Sequence, residues 1–305
     1  MFRSLPKYLF LFLAYPVLAQ DTPKSLLWKV TGPGVARPSY LFGTAHSRDE
    51  RAFRFSDSVW IAMGRADVVA GELDLEKGRQ NAMAMMNIML LPDGKKLQDL
   101  YAEKEWQRID AHLKEDLGAM AAMVQRMKPF FVMAMLTEAQ MGTDREKVLD
   151  DHILSTARAQ GQRVIGIETF EEQVRAMDAL PLVEQAQMLL EYVDSEGDAA
   201  EDLNALIDAY EAQDLDAMME ITENSGQLPK GMEKALLTER NHRMAHRLDS
   251  IMRGGENVFF AVGAAHLPRK DGLITLLRDK GYTVEPVMYT VVRREETEPA
   301  EEKVD

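Results

Sequence analysis

The chain has 305 residues, of which 46% are hydrophobic and 28% charged; it has no cysteine and a formal net charge of −14. Its apolar content can fill one large domain or two small ones. The charge argues against nucleic acid, which needs a basic stripe, and against anionic lipid, and otherwise reads as solubility. Without cysteine, disulfides are excluded, and any metal site must be built from His and carboxylates.

Residues 1–19 read as a secretory signal peptide. Arg3 and Lys7 precede an apolar stretch from Tyr8 to Leu18, and Ala19 closes a V-x-A ending before Gln20 and Asp21. The apolar stretch is too short for a bilayer span, which needs roughly 20 residues. The expected mature protein is exported, periplasmic or extracellular, with no transmembrane segment.

The turn residues Gly32-Pro33-Gly34 separate two strand-like runs, Leu26–Val30 and Ser39–Phe42. Ser56 caps a helix to about Arg65, and Asp67–Ala70 reads as a buried strand. A helical pattern then runs over about 76–159. Arg163–Ile167 returns to strand, and a second helical block covers about 169–252, ended by Gly254-Gly255. Asn257–Val262 is the clearest strand. Gly272–Lys280 is helical, and Tyr282–Val287 is a last strand. The acidic tail 293–305 lacks apolar periodicity and reads as disordered. Alternating strands and helices predict an α/β fold: a central mixed sheet from the N- and C-terminal segments, flanked by helices, with a large helical insertion. The domain is expected over residues 20–292.

Four of these strands end on a residue that carries chemistry. Phe42 leads to Gly43-Thr44-Ala45-His46, Ala70 to Gly71-Glu72, Ile167 to Glu168, and Val262 to Gly263-Ala264-Ala265-His266. Ligands of open α/β sheets bind outside the carboxyl ends of the strands. If the four are parallel neighbours, His46, Glu72, Glu168 and His266 share one rim. Two histidines and a carboxylate suit a divalent metal with an open position, which acidifies bound water. A metal-free site would use one His as general base and a neighbouring Glu to fix its tautomer. A single G-x-x-H is better read as a strand-capping histidine; two copies with carboxylates at equivalent positions favour a site. The glycines let the backbone turn sharply or approach a ligand.

The segments Leu41–His46, Gly71–Asp74, Ile167-Glu168-Thr169, Glu239-Arg240-Asn241, Val262–Leu267 and Gly272–Val287 resemble the TraB/PrgY/GumN family, closest to its exported GumN-like members. That resemblance implies kinship with the Tiki metalloproteases and, more distantly, with erythromycin-esterase-like hydrolases and haem-binding ChaN-like proteins. It implies metal ligation by His46, His266 and Glu72, with Glu168 a weaker candidate, or base and partner roles for the histidines in a metal-free version. Glu72 is then ligand or general base. Arg240 either stabilises an oxyanion or braces its helix in a buried ion pair. Many relatives have Gly soon after the second His, where this chain has Pro268-Arg269-Lys270-Asp271.

Other candidates are weaker. His242 and His246 stand four apart, but Arg243 occupies the zincin glutamate position, so they read as a helix face. His112 and His152 read as structural. The 20 methionines invite a cuprous site, core filling or an adaptable peptide groove, and filling is the commonest use. The expectation is a metal-dependent, peptidase-like hydrolase using zinc, manganese or cobalt on a peptide or protein substrate. The alternatives are a non-catalytic binder of peptide, metal or haem, and a metal-free esterase-like hydrolase.

Overall fold

The computed structural model describes residues 23–74, 76, 82–224 and 233–288; the expected signal peptide and acidic tail lie outside them. Six strands form one mixed sheet: β1 (Leu27–Thr31), β2 (Ser39–Thr44), β3 (Val68–Gly71), β4 (Arg163–Gly166), β5 (Val258–Gly263) and β6 (Thr283–Pro286). The spatial order is β4-β3-β5-β2-β1-β6. The pairs β4–β3, β3–β5 and β5–β2 are parallel, while β1 runs antiparallel to both β2 and β6. Both ends of the chain thus contribute to the sheet, in the α/β architecture the sequence predicts.

Sequence explains which strands lie centrally. Val68-Val69-Ala70-Gly71 in β3 is buried throughout, and Val258–Val262 in β5 likewise. Continuous apolar runs of this kind belong to parallel strands covered on both faces. The edge strand β4 is only half-buried. At the β1–β2 turn Gly34 has φ +80°, a conformation that a side chain would strain.

Helix α1 (Asp57–Gly64) connects β2 to β3 and is capped by Ser56 as expected. Between β3 and β4 lie α2 (Ala82–Met89), α3 (Glu103–Leu117), α4 (Ala121–Val124), α5 (Pro129–Gln140) and α6 (Leu149–Ala159). Between β4 and β5 lie α7 (Phe170–Asp178), α8 (Leu182–Asp194), α9 (Glu196–Glu211), α10 (Leu215–Asn224) and α11 (Glu239–Arg253); α12 (Leu273–Asp279) precedes β6.

The helical stretches serve two cores. Ile109 and Leu113 of α3, Val132 and Leu136 of α5, and Leu189 of α8 form a cluster of their own. By contrast α6 lays Leu149, Ile153, Leu154 and Ala157 into the core under the sheet, and α11 adds Met244, Leu248 and Met252. Part of the helical sequence is therefore structural support for the strand ends. Among the described residues, no helix is long and apolar enough to cross a membrane.

Candidate active site

Because β4, β3, β5 and β2 are adjacent and parallel, their carboxyl ends meet at one rim, which carries Glu168, Glu72, the second G-x-x-H and the first. The registers align Thr44 with Gly263 and Gly71 with Gly166. Beyond β4 the pairing continues, with the Glu168 N–H donating to the Glu72 carbonyl at 2.8 Å.

The glycines accommodate protein atoms, not a sharp backbone turn. A Cβ on Gly43 would stand 2.9 Å from Leu267 Cδ1 and 3.2 Å from Ala264, so the first motif has room only to hold the second. On Gly71 it would stand 2.6 Å from Leu154 Cδ1. At Gly263 it would approach Glu72 Oε1 to 3.2 Å, and the Gly263 N–H donates to that same oxygen at 2.9 Å.

Glu72 is held on all sides. Its Oε1 takes the Gly263 N–H, and its Oε2 accepts from Arg240 Nη2 at 2.5 Å and Gln173 Nε2 at 3.1 Å. Burial pushes its pKa up, but His266 when protonated, Arg240 and the Gly263 N–H outweigh that and hold it at about 2. His266, with a side chain only 5% exposed, is pushed below its usual pKa by burial, more than Glu72 raises it. With the imidazole neutral near pH 7, Arg240 and Gly263 are the contributions that keep Glu72 ionised.

The His266 tautomer follows from its neighbours. Asn241 Nδ2 donates to the Asp271 carbonyl at 2.8 Å, which orients the amide and leaves Asn241 Oδ1 2.6 Å from His266 Nδ1. An amide oxygen only accepts, so Nδ1 carries the hydrogen and Nε2 the lone pair. That lone pair stands 3.7 Å from Glu72 Oε1. The departure at Pro268–Asp271 thus forms part of the support: its Asp271 carbonyl fixes Asn241, and Asn241 fixes His266.

Arg240 is buried and four-fold engaged. Nε and Nη2 donate to Glu168 Oε2 at 2.9 and 2.7 Å, Nη2 to Glu72, and Nη1 to the Leu236 carbonyl of the π-helical turn Lys234–Thr238. Glu168, whose side chain is 0% exposed, also accepts from Arg243 at 3.2 Å. Thr169 caps the following helix, in a box with Glu172.

His46 differs from His266 in being open, with a side chain 66% exposed. Asp150, in the first turn of α6, stands with Oδ2 3.6 Å from His46 Nδ1, while its Oδ1 accepts from Thr44 Oγ1 at 2.5 Å. The Asp150 carboxylate raises the His46 pKa against the opposing effect of burial. Tyr210 Oη donates to the Gly43 carbonyl at 2.8 Å and braces the same turn. Asp150 escapes a sequence reading because nothing local ties it to His46. Asn241 and Gln173 are visible as neighbours of Arg240 and Glu172, but their roles are not.

The remaining histidines lie elsewhere. His112 packs in the helical core with Asp116 at 3.3 Å; His152 sits edge-on to Phe53 and Trp60; His242 and His246 are exposed, His242 4.0 Å from Asp271. Met63, Met244 and Met252 are core, the commonest use, whereas Met86, Met120 and Met123 are exposed.

A sequence profile of the TraB/PrgY/gumN family matches residues 26–286, the whole sheet and everything between its ends. The chain belongs to that family. Among curated proteins it is 26% identical to Metalloprotease TIKI2 of Danio rerio over 92% of this chain and 65% of that protein. Metalloprotease TIKI2 of Xenopus tropicalis is also 26% identical, over 88% and 60%, and Metalloprotease TIKI1 of Homo sapiens 24% identical, over 87% and 62%. This TraB/PrgY/gumN member thus spans somewhat under two thirds of the length of these curated relatives. No solved structure matches it. Among its described residues no three His, Asp or Glu side chains stand together as a ready metal site.

Proposed function

We propose that this protein is a metal-dependent hydrolase of peptide bonds, working at the rim where the two G-x-x-H motifs meet. The observation that carries the reading is the gap between His266 Nε2 and Glu72 Oε1. A lone pair faces an ionised carboxylate oxygen across 3.7 Å, an arrangement that a shared cation relieves. Metal–ligand bonds of about 2.0–2.2 Å bridge such a span. His266 and Glu72 are therefore two donors that fit a divalent ion such as zinc, manganese or cobalt, and His46, on the open side, would have to move toward them to serve as third ligand. The names of the TIKI relatives point the same way.

Such an ion supplies Lewis acidity at the rim. The protein's own groups do the rest. Glu72, held at about 2, is a poor general base near neutral pH and a good anionic ligand. Arg240 keeps it ionised and oriented, and we assign Glu168 to anchoring Arg240 in place of ligation. The buried ion-pair role of Arg240 then accounts for its contacts without an oxyanion. His46, exposed at the mouth, is the group a substrate meets first.

One observation favours a second reading. A His with a carboxylate at Nδ1 and an open Nε2 is also a metal-free general base, with Asp150 as its orienting partner. Elemental analysis of the purified protein and its His266→Ala variant, alongside turnover of a peptide library with and without chelator, separates the two. Stoichiometric metal lost in the variant, with chelator-sensitive cleavage, supports the first. Cleavage untouched by chelator and unaccompanied by metal supports the second. Ligand retention with no turnover of any peptide or ester returns the protein to the class of binders.

A further inference from the structure

A cleft of about 240 Å³ opens beside His46, between the end of β2, the end of α5 and the helices α9 and α10. Its lining is mixed: Met141, Leu203, Leu206, Ile207 and Met218 form an apolar wall, with Arg51, Gln140 and Tyr210 among the polar residues. We propose that it is a specificity subsite that takes one large apolar side chain of a peptide substrate, aliphatic or aromatic, next to the reacting bond. This deepens the hydrolase reading and rests on it.

Size decides what can enter. Pockets for whole cofactors or drug-sized ligands run from about 300 to 1,000 Å³, so this one holds a side chain and not a haem. Chemistry decides which side chain. The Tyr210 hydroxyl is committed to the Gly43 carbonyl, and Arg51 at the far edge is committed to Asp49, Asp208 and Asn204. Arg51 and Tyr210 are thus engaged within the protein; Gln140 Oε1, buried and without a hydrogen bond among the described residues, can accept a backbone N–H, and the apolar wall is left to recognise the side chain. Two of its walls are methionines, unbranched and polarizable, which adapt to aliphatic and aromatic shapes alike.

Position ties the cleft to the site. Ala45 and His46 form its lip, so a side chain seated in it brings the adjoining backbone to the exposed imidazole. Its outer wall is also fixed relative to the second motif. Met218 lies on α10, and Arg269, three residues after His266, reaches that helix at Glu223 (3.3 Å) and Asp216 (3.8 Å). The loop after the second motif therefore sets the width of a pocket beside the first.

The test has a binding arm and a turnover arm. In His46→Ala protein with labelled methionine methyl groups, N-acetyl-leucinamide and N-acetyl-phenylalaninamide should shift the Met141 and Met218 signals and leave Met244 and Met252 in place. N-acetyl-glycinamide should shift none, and Leu206→Trp, which fills the cleft, should abolish the response. In turnover, quenched peptides with Leu or Phe at one position should be cleaved at least about tenfold faster than those with Gly. Leu206→Trp should bring the Leu and Phe peptides down to the rate of the Gly peptides; Leu203→Glu, at a half-buried position, gives the same test should the tryptophan disturb folding. Equal methyl shifts with all three amides, or none at Met141 and Met218, overturns the subsite even if peptides are cleaved. Selective shifts with no cleavage of any peptide uphold the subsite and overturn the hydrolase.

Discussion

Asp150 Oδ2 lies buried 3.6 Å from His46 Nδ1 and has no hydrogen bond among the described residues, although the other oxygen of the same carboxylate is tied to Thr44. A carboxylate pinned at one oxygen and open at the other is positioned to take the Nδ1 hydrogen of His46 and turn Nε2 toward the rim. Asn241 does the same for His266, so each histidine has its own orienting partner.

Orienting partners of ligating histidines are worth about 10–100-fold in metal affinity. If the proposed metal is bound, Asp150→Ala is expected to weaken zinc affinity by that factor while the fold and its circular dichroism persist. Competition with a chromogenic chelator measures it, and unchanged affinity would remove Asp150 from the site.

Arg240 joins two buried carboxylates. Removing it leaves Glu72 and Glu168 without their main counter-charge, and breaking such a buried network costs about 3–5 kcal/mol. Arg240→Met should lower the urea midpoint accordingly. Should stability hold while kcat alone collapses, Arg240 acts on the substrate and the bracing role is wrong.

Gly43→Ala puts a methyl group 2.9 Å from Leu267 Cδ1 and 3.2 Å from the Ala264 backbone. Overpacking of this kind costs about 1–3 kcal/mol. Since Leu267 directly follows His266, activity should fall with stability. A double-mutant cycle with Leu267→Ala is expected to show favourable coupling, because the second change vacates the space the first invades.

Acid sensitivity has an identifiable contributor in Glu172. Its pKa falls from 4.5 to about 2, chiefly through its bond to Arg247. A lowered folded-state pKa stabilises above pH 4.5, and that contribution is lost as pH falls from there toward 2. The nominal shift is discounted, because Arg247 is partly exposed and solvent screens the pair, to about 1 kcal/mol. Glu172→Gln should be less stable than the parent at pH 7, with the difference shrinking to nothing near pH 2 in thermal melts across that range.

Much of the site was legible because the chain writes strand ends plainly. Val258–Val262 reads as a buried strand from its apolar run alone, and the residues that follow it, Gly263 to His266, must then lie at its end. The same local logic places His46, Glu72 and Glu168. The turn at Gly32–Gly34 and the Ser56 cap are equally local, since each depends on atoms within a few residues.

What the sequence by itself determined about His46 and His266 is that each closes a G-x-x-H at a strand end. The tertiary structure decided the rest: that β2 and β5 are parallel neighbours, that Gly43 is empty so the second motif can press against it, and that Glu72 spans the gap to Gly263. It also decided the chemistry of each ring. Asp150 reaches His46 across 104 positions of sequence numbering and leaves it open, while Asn241 and burial make His266 a neutral lone-pair donor. The physical reason is that hydrophobic periodicity is a local property, whereas the tautomer and charge of a side chain depend on whichever groups packing brings within a few ångströms.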